Sequence, residues 1–60
     1  MANFYLNNKP ISQGVAVHHL ANALPNQSFK QVRELVYLAS QGYKFPMQKL
    51  GEYGISVGGV

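Results

Sequence analysis

The stretch "FYLNNKPI", residues 4–11, constrains this chain more than any other part of it. Asparagine tolerates the left-handed conformation that both central residues of a type I′ turn require, so Asn7-Asn8 predicts a two-residue hairpin. With that loop, Leu6 faces Lys9, Tyr5 faces Pro10 and Phe4 faces Ile11. Phe4, Leu6 and Ile11 then share one face, because side chains alternate along a strand. Pro10 has no N–H and does not fit the interior of a sheet. Opposite Tyr5 it falls at a non-hydrogen-bonded pair, where its nitrogen faces away from the partner strand. Its strand must therefore be an edge, and any third strand must add beside residues 4–6.

The remaining chain reads as helices and that third strand. Ser12 suits the cap of a helix over 13–24, with Val17, Leu20, Ala21 and Leu24 on one stripe. Pro25 ends it, since the residue before a proline is pushed out of the helical region. Ser28 and Gln31 have the spacing of a capping box and open a helix over 29–41. Phe29, Val32, Val36 and Ala39 form its core stripe, widened by Leu35 and Leu38. Lys30 and Glu34 stand at i, i+4 and can pair. A short third helix is expected from Pro46, a residue suited to the first helical position, with Met47 and Leu50 inward. Ile55 to Val57 reads as a short strand, and Gly58, Gly59 and Val60 as a frayed end.

One pattern occurs twice. Leu38 is followed by Gly42-Tyr43, and Leu50 by Gly54-Ile55, each glycine four residues after its leucine. Glycine just past a helix end adopts the left-handed conformation without a Cβ penalty. The next apolar residue then folds back on the leucine, as in a Schellman cap. Both copies read as helix stops, pairing Tyr43 with Leu38 and Ile55 with Leu50. The expected fold is a single α+β domain over 1–60. Its small antiparallel sheet, the amino-terminal hairpin plus a short carboxy-terminal strand, is covered by two main helices and one short one. The alternative is an all-α three-helix domain with a disordered amino end.

Composition narrows the function classes. Sixty residues make one small domain, which buries only about 60% of the surface its unfolded chain exposes. There is no cysteine, which excludes disulfides and thiolate zinc sites. Only 12% of residues are charged, against about 25% in ordinary domains. Such a surface repels copies of itself weakly, which leaves a homo-oligomer or a self-assembling structural protein open. The 47% hydrophobic content is enough to drive collapse. Net charge is +3, but Lys9, Lys30, Arg33, Lys44 and Lys49 are spread out rather than run together. No signal peptide or membrane-length apolar run is visible. The chain, beginning at Met1, reads as a complete cytoplasmic product with no membrane partner.

Chemistry-bearing constellations are sparse. His18 and His19 point about 100° apart on a helix, so they do not form one ligand pair. One is expected beside the apolar stripe and the other in solvent. Glu34 and Glu52 are the only acids, and no spacing forces them together. No nucleophile–base order, phosphate loop or dinucleotide fingerprint is present. The expectation is no catalytic residue, no metal and no cofactor. The best binding candidates are Lys30, Arg33 and Tyr37 on one helix face, with Lys44 just beyond. Cations interleaved with an aromatic suit an acidic protein surface or a nucleic-acid backbone with stacked bases.

The segment from Gln31 to Val60 resembles, in outline, a helix-turn-helix core. Gly54-Ile55-Ser56 matches the G-I-S that ends the short second helix, and Val60 falls in the opening of a recognition helix. The resemblance implies a DNA-binding transcriptional regulator. In this chain Leu50 takes a place that is usually small. The recognition helix would have to open at Val57-Gly58-Gly59, a poor helix start. The first expectation is therefore a small non-enzymatic protein-binding module. Short, charge-poor chains of this kind are typical phage or mobile-element products, acting as regulators or inhibitors by surface occlusion. A protein partner is expected first and nucleic acid second.

Overall fold

The computed structural model describes residues 2–59. β1 (Asn3–Leu6) and β2 (Lys9–Ile11) form the hairpin. Its register pairs Phe4 with Ile11, Tyr5 with Pro10 and Leu6 with Lys9. Asn7 at φ 51° and Asn8 at φ 69° make the turn, as a type I′ loop requires. There follow α1 (Gln13–Ala23), α2 (Phe29–Ser40), α3 (Lys44–Gly51) and β3 (Ile55–Gly58). The strand order is β2-β1-β3, with β3 antiparallel to β1 and Ile55 opposite Leu6. Pro10 thus lies on an edge strand, and the third strand adds on the side it leaves available. The protein is α+β, and the all-α alternative is overturned because residues 3–11 are the hairpin rather than a disordered end.

Alternation along the strands separates the two sheet faces. Phe4 and Ile55 are buried, whereas Pro10 and Ser56 on the opposite face are exposed. The buried side meets Ala16, Val17 and Leu20 of α1, Val32, Val36 and Ala39 of α2, and Leu50 of α3. Leu20, Val32, Val36, Leu50 and Ile55 are fully enclosed. Each enclosed aliphatic side chain contributes about 1.5–3 kcal/mol of transfer free energy. Ala16 joins this core although it lies off the expected stripe. A small side chain gives little periodic signal, but it lets a helix approach the sheet closely.

Helix ends are set by local hydrogen bonds. The Ser12 hydroxyl accepts the Val15 N–H at 3.1 Å. Leu24 leaves the helical region at φ −122°, ψ 68°, directly before Pro25. At Ser28 the capping box is complete, with both reciprocal bonds at 3.1 Å. At the end of α2, Gly42 (φ 92°) donates to Ala39 O at 3.1 Å, and Tyr43 N–H donates to Leu38 O at 3.3 Å. Those are the two bonds of a Schellman motif.

α1 and α2 each end one residue earlier than expected, at Ala23 and Ser40, and the segment beyond them differs further. α3 begins at Lys44, not Pro46, which is buried at its third position. The N–H groups of a first turn have no intrahelical acceptor, so proline is tolerated anywhere within it. The stop after α3 is built from tighter turns, Tyr53 N–H to Leu50 O at 3.0 Å and Gly54 N–H to Gly51 O at 3.2 Å. Gly54 has φ 84°, and its carbonyl accepts the Asn7 N–H at 3.3 Å. Strand β3 runs through Gly58, opposite Asn3, so Gly58 is not part of a frayed end. A methyl group there would sit 3.6 Å from Tyr5 Cε2, so the tyrosine ring covers the glycine from a diagonal position. Val60 lies outside the described residues.

Two alanine substitutions separate backbone strain from packing. A Cβ at Gly54 meets Asn7 Oδ1 at 3.4 Å and forces a left-handed non-glycine residue, whereas one at Gly51 meets nothing within 4 Å. Gly54→Ala should lose about 1–2 kcal/mol, and Gly51→Ala should gain about 0.4–1 kcal/mol. Urea denaturation of the two variants checks this, and a shift in the same direction for both would disprove it.

Candidate interaction surface

Helix α2 buries Val32, Val36 and Ala39. Beside that buried stripe run Phe29, Arg33 and Tyr37, spaced four residues apart, so the row starts at the edge of the buried side at Phe29 and turns outward to Tyr37. Lys30 and Glu34 flank that row. Phe29 is 48% exposed and Tyr37 54%. This corrects the assignment of Phe29 to the core stripe. Phe29 is the first residue of α2, where the capping box turns the chain, and its ring lies against the outside of α1. It meets the His18 ring at 5.9 Å between centroids, tilted by 53°. The Arg33 guanidinium carbon lies 5.9 Å from its centroid, within the range of a cation–π contact. Arg33 is thereby held over an aromatic surface, with a second aromatic one turn further on.

A shallow groove of about 320 Å³ runs along this face, lined by Gln13, Lys30, Arg33, Glu34 and Tyr37. Three of the four sequence-predicted site residues therefore come together. The fourth, Lys44, does not line the groove; it is the exposed first residue of α3. Gln13 and Glu34 join the site instead. Gln13 was not legible as a site residue, because only folding brings the start of α1 to α2. The expected Lys30–Glu34 pair does not form. Among the described residues the one ion pair is Lys49–Glu52, 3.8 Å apart at the end of α3, with Lys49 partly and Glu52 largely exposed. Two cations and one carboxylate thus share the groove without an internal salt bridge.

The other polar candidates have structural places. His18 is exposed and His19 half-buried beside the apolar stripe. His19 Nε2 lies 3.1 Å from the Tyr53 carbonyl, a geometry in which the ring N–H donates. That bond ties α1 to the corner between α3 and β3. Glu34 lines the groove and Glu52 faces Lys49. Among the described residues no three His, Cys, Asp or Glu side chains cluster as metal ligands would. No helix there is long and apolar enough to cross a membrane.

A second exposed group flanks Lys44: Tyr43 is 60% exposed and Phe45 70%. Most of the Tyr43 ring thus remains in solvent although its backbone completes the Schellman motif. The helix-turn-helix resemblance fails at the chain's last elements. Val57 and Gly58, where a recognition helix would open, belong to a strand paired with β1. No protein-family model, curated protein or solved structure matches this chain.

Because Phe29 is half outside, its role on the surface is separable from stability. Phe29→Ala should cost about 1 kcal/mol or less, while releasing Arg33 and shifting the His18 ring resonances. Leu20→Ala, at a fully enclosed position, should cost about 2–5 kcal/mol. Denaturation curves with side-chain NMR of both variants test the contrast. A comparable loss for Phe29→Ala would make that ring part of the core.

Proposed function

We propose that this chain is a small non-enzymatic protein-binding module that regulates or inhibits its partner by occupying part of the partner's surface. The observation that carries this reading is the row Phe29, Arg33, Tyr37, left open on a helix that buries Val32, Val36 and Ala39. Tyrosine and arginine are enriched among residues that dominate binding energy, because each offers a large contact area and a directional polar group. Arg33 is already positioned by Phe29, so less side-chain freedom is lost on binding. Gln13, Lys30 and Glu34 line the groove beside Arg33 and Tyr37 and offer polar contacts of the kind that surround protein interfaces.

The test compares capture from host extract by the wild-type chain and by the Arg33→Ala/Tyr37→Ala variant. Both residues are exposed, so circular dichroism should be unchanged while recovery of the specific partner falls at least about tenfold. Undiminished capture would show that the partner uses another face. Loss of all capture after nuclease treatment would favour a nucleic-acid binder.

A further inference from the structure

The composition of the groove restricts what can occupy it. Its cations are Lys30 and Arg33, with Glu34 between them and Tyr37 in sequence. Neither cation has a carboxylate within salt-bridge distance among the described residues. Two cations against one carboxylate leave a surplus of a single positive charge. From Lys30 to Tyr37 the helix advances about 10 Å, at about 1.5 Å per residue. A nucleic-acid strand following that path presents about three phosphates, one per roughly 3.4 Å. The surplus is too small for such a load, and Glu34 opposes it. The remaining bases lie on other elements, Lys9 on β2 and Lys44 and Lys49 on α3, and none of them lines the groove. A single side-chain carboxylate matches the surplus. The guanidinium fork offers that carboxylate two parallel N–H donors, and the exposed rings of Phe29 and Tyr37 offer apolar contact on either side of Arg33.

We infer that the groove receives an acidic protein segment, which places one carboxylate at Lys30 and Arg33 and a neighbouring apolar side chain against Phe29 or Tyr37. This rests on the protein-binding reading and specifies its partner. Glu34 contributes selectivity, turning away segments that bring several negative charges into the same space.

The experiment is a titration of the isotopically labelled protein, followed by amide NMR, with two short synthetic peptides. One carries a Glu-Leu pair on a Gly-Ser background, and the other has glutamine in place of the glutamate. The Glu peptide should move the resonances of Gln13, Lys30, Arg33 and Tyr37, with an affinity at least about tenfold above that of the Gln peptide. Arg33→Ala should remove that difference, and Arg33→Lys should restore part of it. The unperturbed remainder of the spectrum verifies that each variant is folded. Equal affinities for the two peptides would overturn the acidic partner and leave the protein-binding reading standing. So would the absence of shifts at millimolar Glu peptide, or shifts confined to another face. A single-stranded oligonucleotide that moves the same resonances more strongly, with steep salt dependence, would overturn both.

Discussion

Pro10 has no N–H to contribute, and the sheet is arranged around that lack. A hairpin alone is marginal in water and needs a third strand or a covering helix. Pro10 closes one side of the hairpin to a further strand, so β3 can add only beside β1. The chain must then travel through three helices and return antiparallel to its own beginning. Gly54 makes the return with a left-handed backbone, and its carbonyl takes the Asn7 N–H. The loop of the hairpin and the corner before β3 are thus joined at one point. The helices in turn cover the face where Phe4 and Ile55 lie side by side with the other buried residues.

A domain of this size works close to the limit of what burial can stabilise. Against that background, the placement of its aromatics is informative. Phe29, Tyr37, Tyr43 and Phe45 all stand largely or half in solvent, where they add little to stability. The enclosed positions are filled instead by aliphatic residues, chiefly leucine, isoleucine and valine. Branched aliphatic side chains, with Phe4, pack the narrow space between sheet and helices, while these four rings are presented outward. Presentation is ordered, since His18 and Arg33 both lean on Phe29. A solvated aromatic held in one place is suited to contact with another molecule.

Much of the fold was legible because its signals are local. Asn7-Asn8 set the hairpin register, Pro10 set the strand order, Ser28 with Gln31 set the start of α2, and Gly42 set its end. The misreadings share the opposite property. Gly58 looked like tail because the ring that covers it belongs to Tyr5, far away in sequence. Phe29 fits the core period of α2, but whether a first-turn residue lies over the core depends on where α1 crosses, which periodicity does not specify. Pro46 marks a first turn without saying which residue of that turn it occupies, so α3 started two residues early. For the surface, Lys30, Arg33 and Tyr37 were legible as one helical face. Gln13 was not, since it arrives from another element, and Lys44 was separated from the rest once the Gly42 corner turned α3 away.

The pairing of β1 with β3 also bears on the order in which the molecule can assemble. Asn3 to Leu6 must wait for Ile55 to Gly58, so the central strand has only its hairpin neighbour until the three helices between them have been made. During synthesis the hairpin, α1 and α2 are available first, with one side of β1 unsatisfied and Val32 and Val36 incompletely covered. Contacts so distant in sequence close late and slowly, because the intervening chain must first give up its freedom. On the ribosome the nascent chain therefore passes through a stage with an open strand and an uncovered apolar face. Pairing of Ile55 to Gly58 with Asn3 to Leu6 closes the open side of that strand.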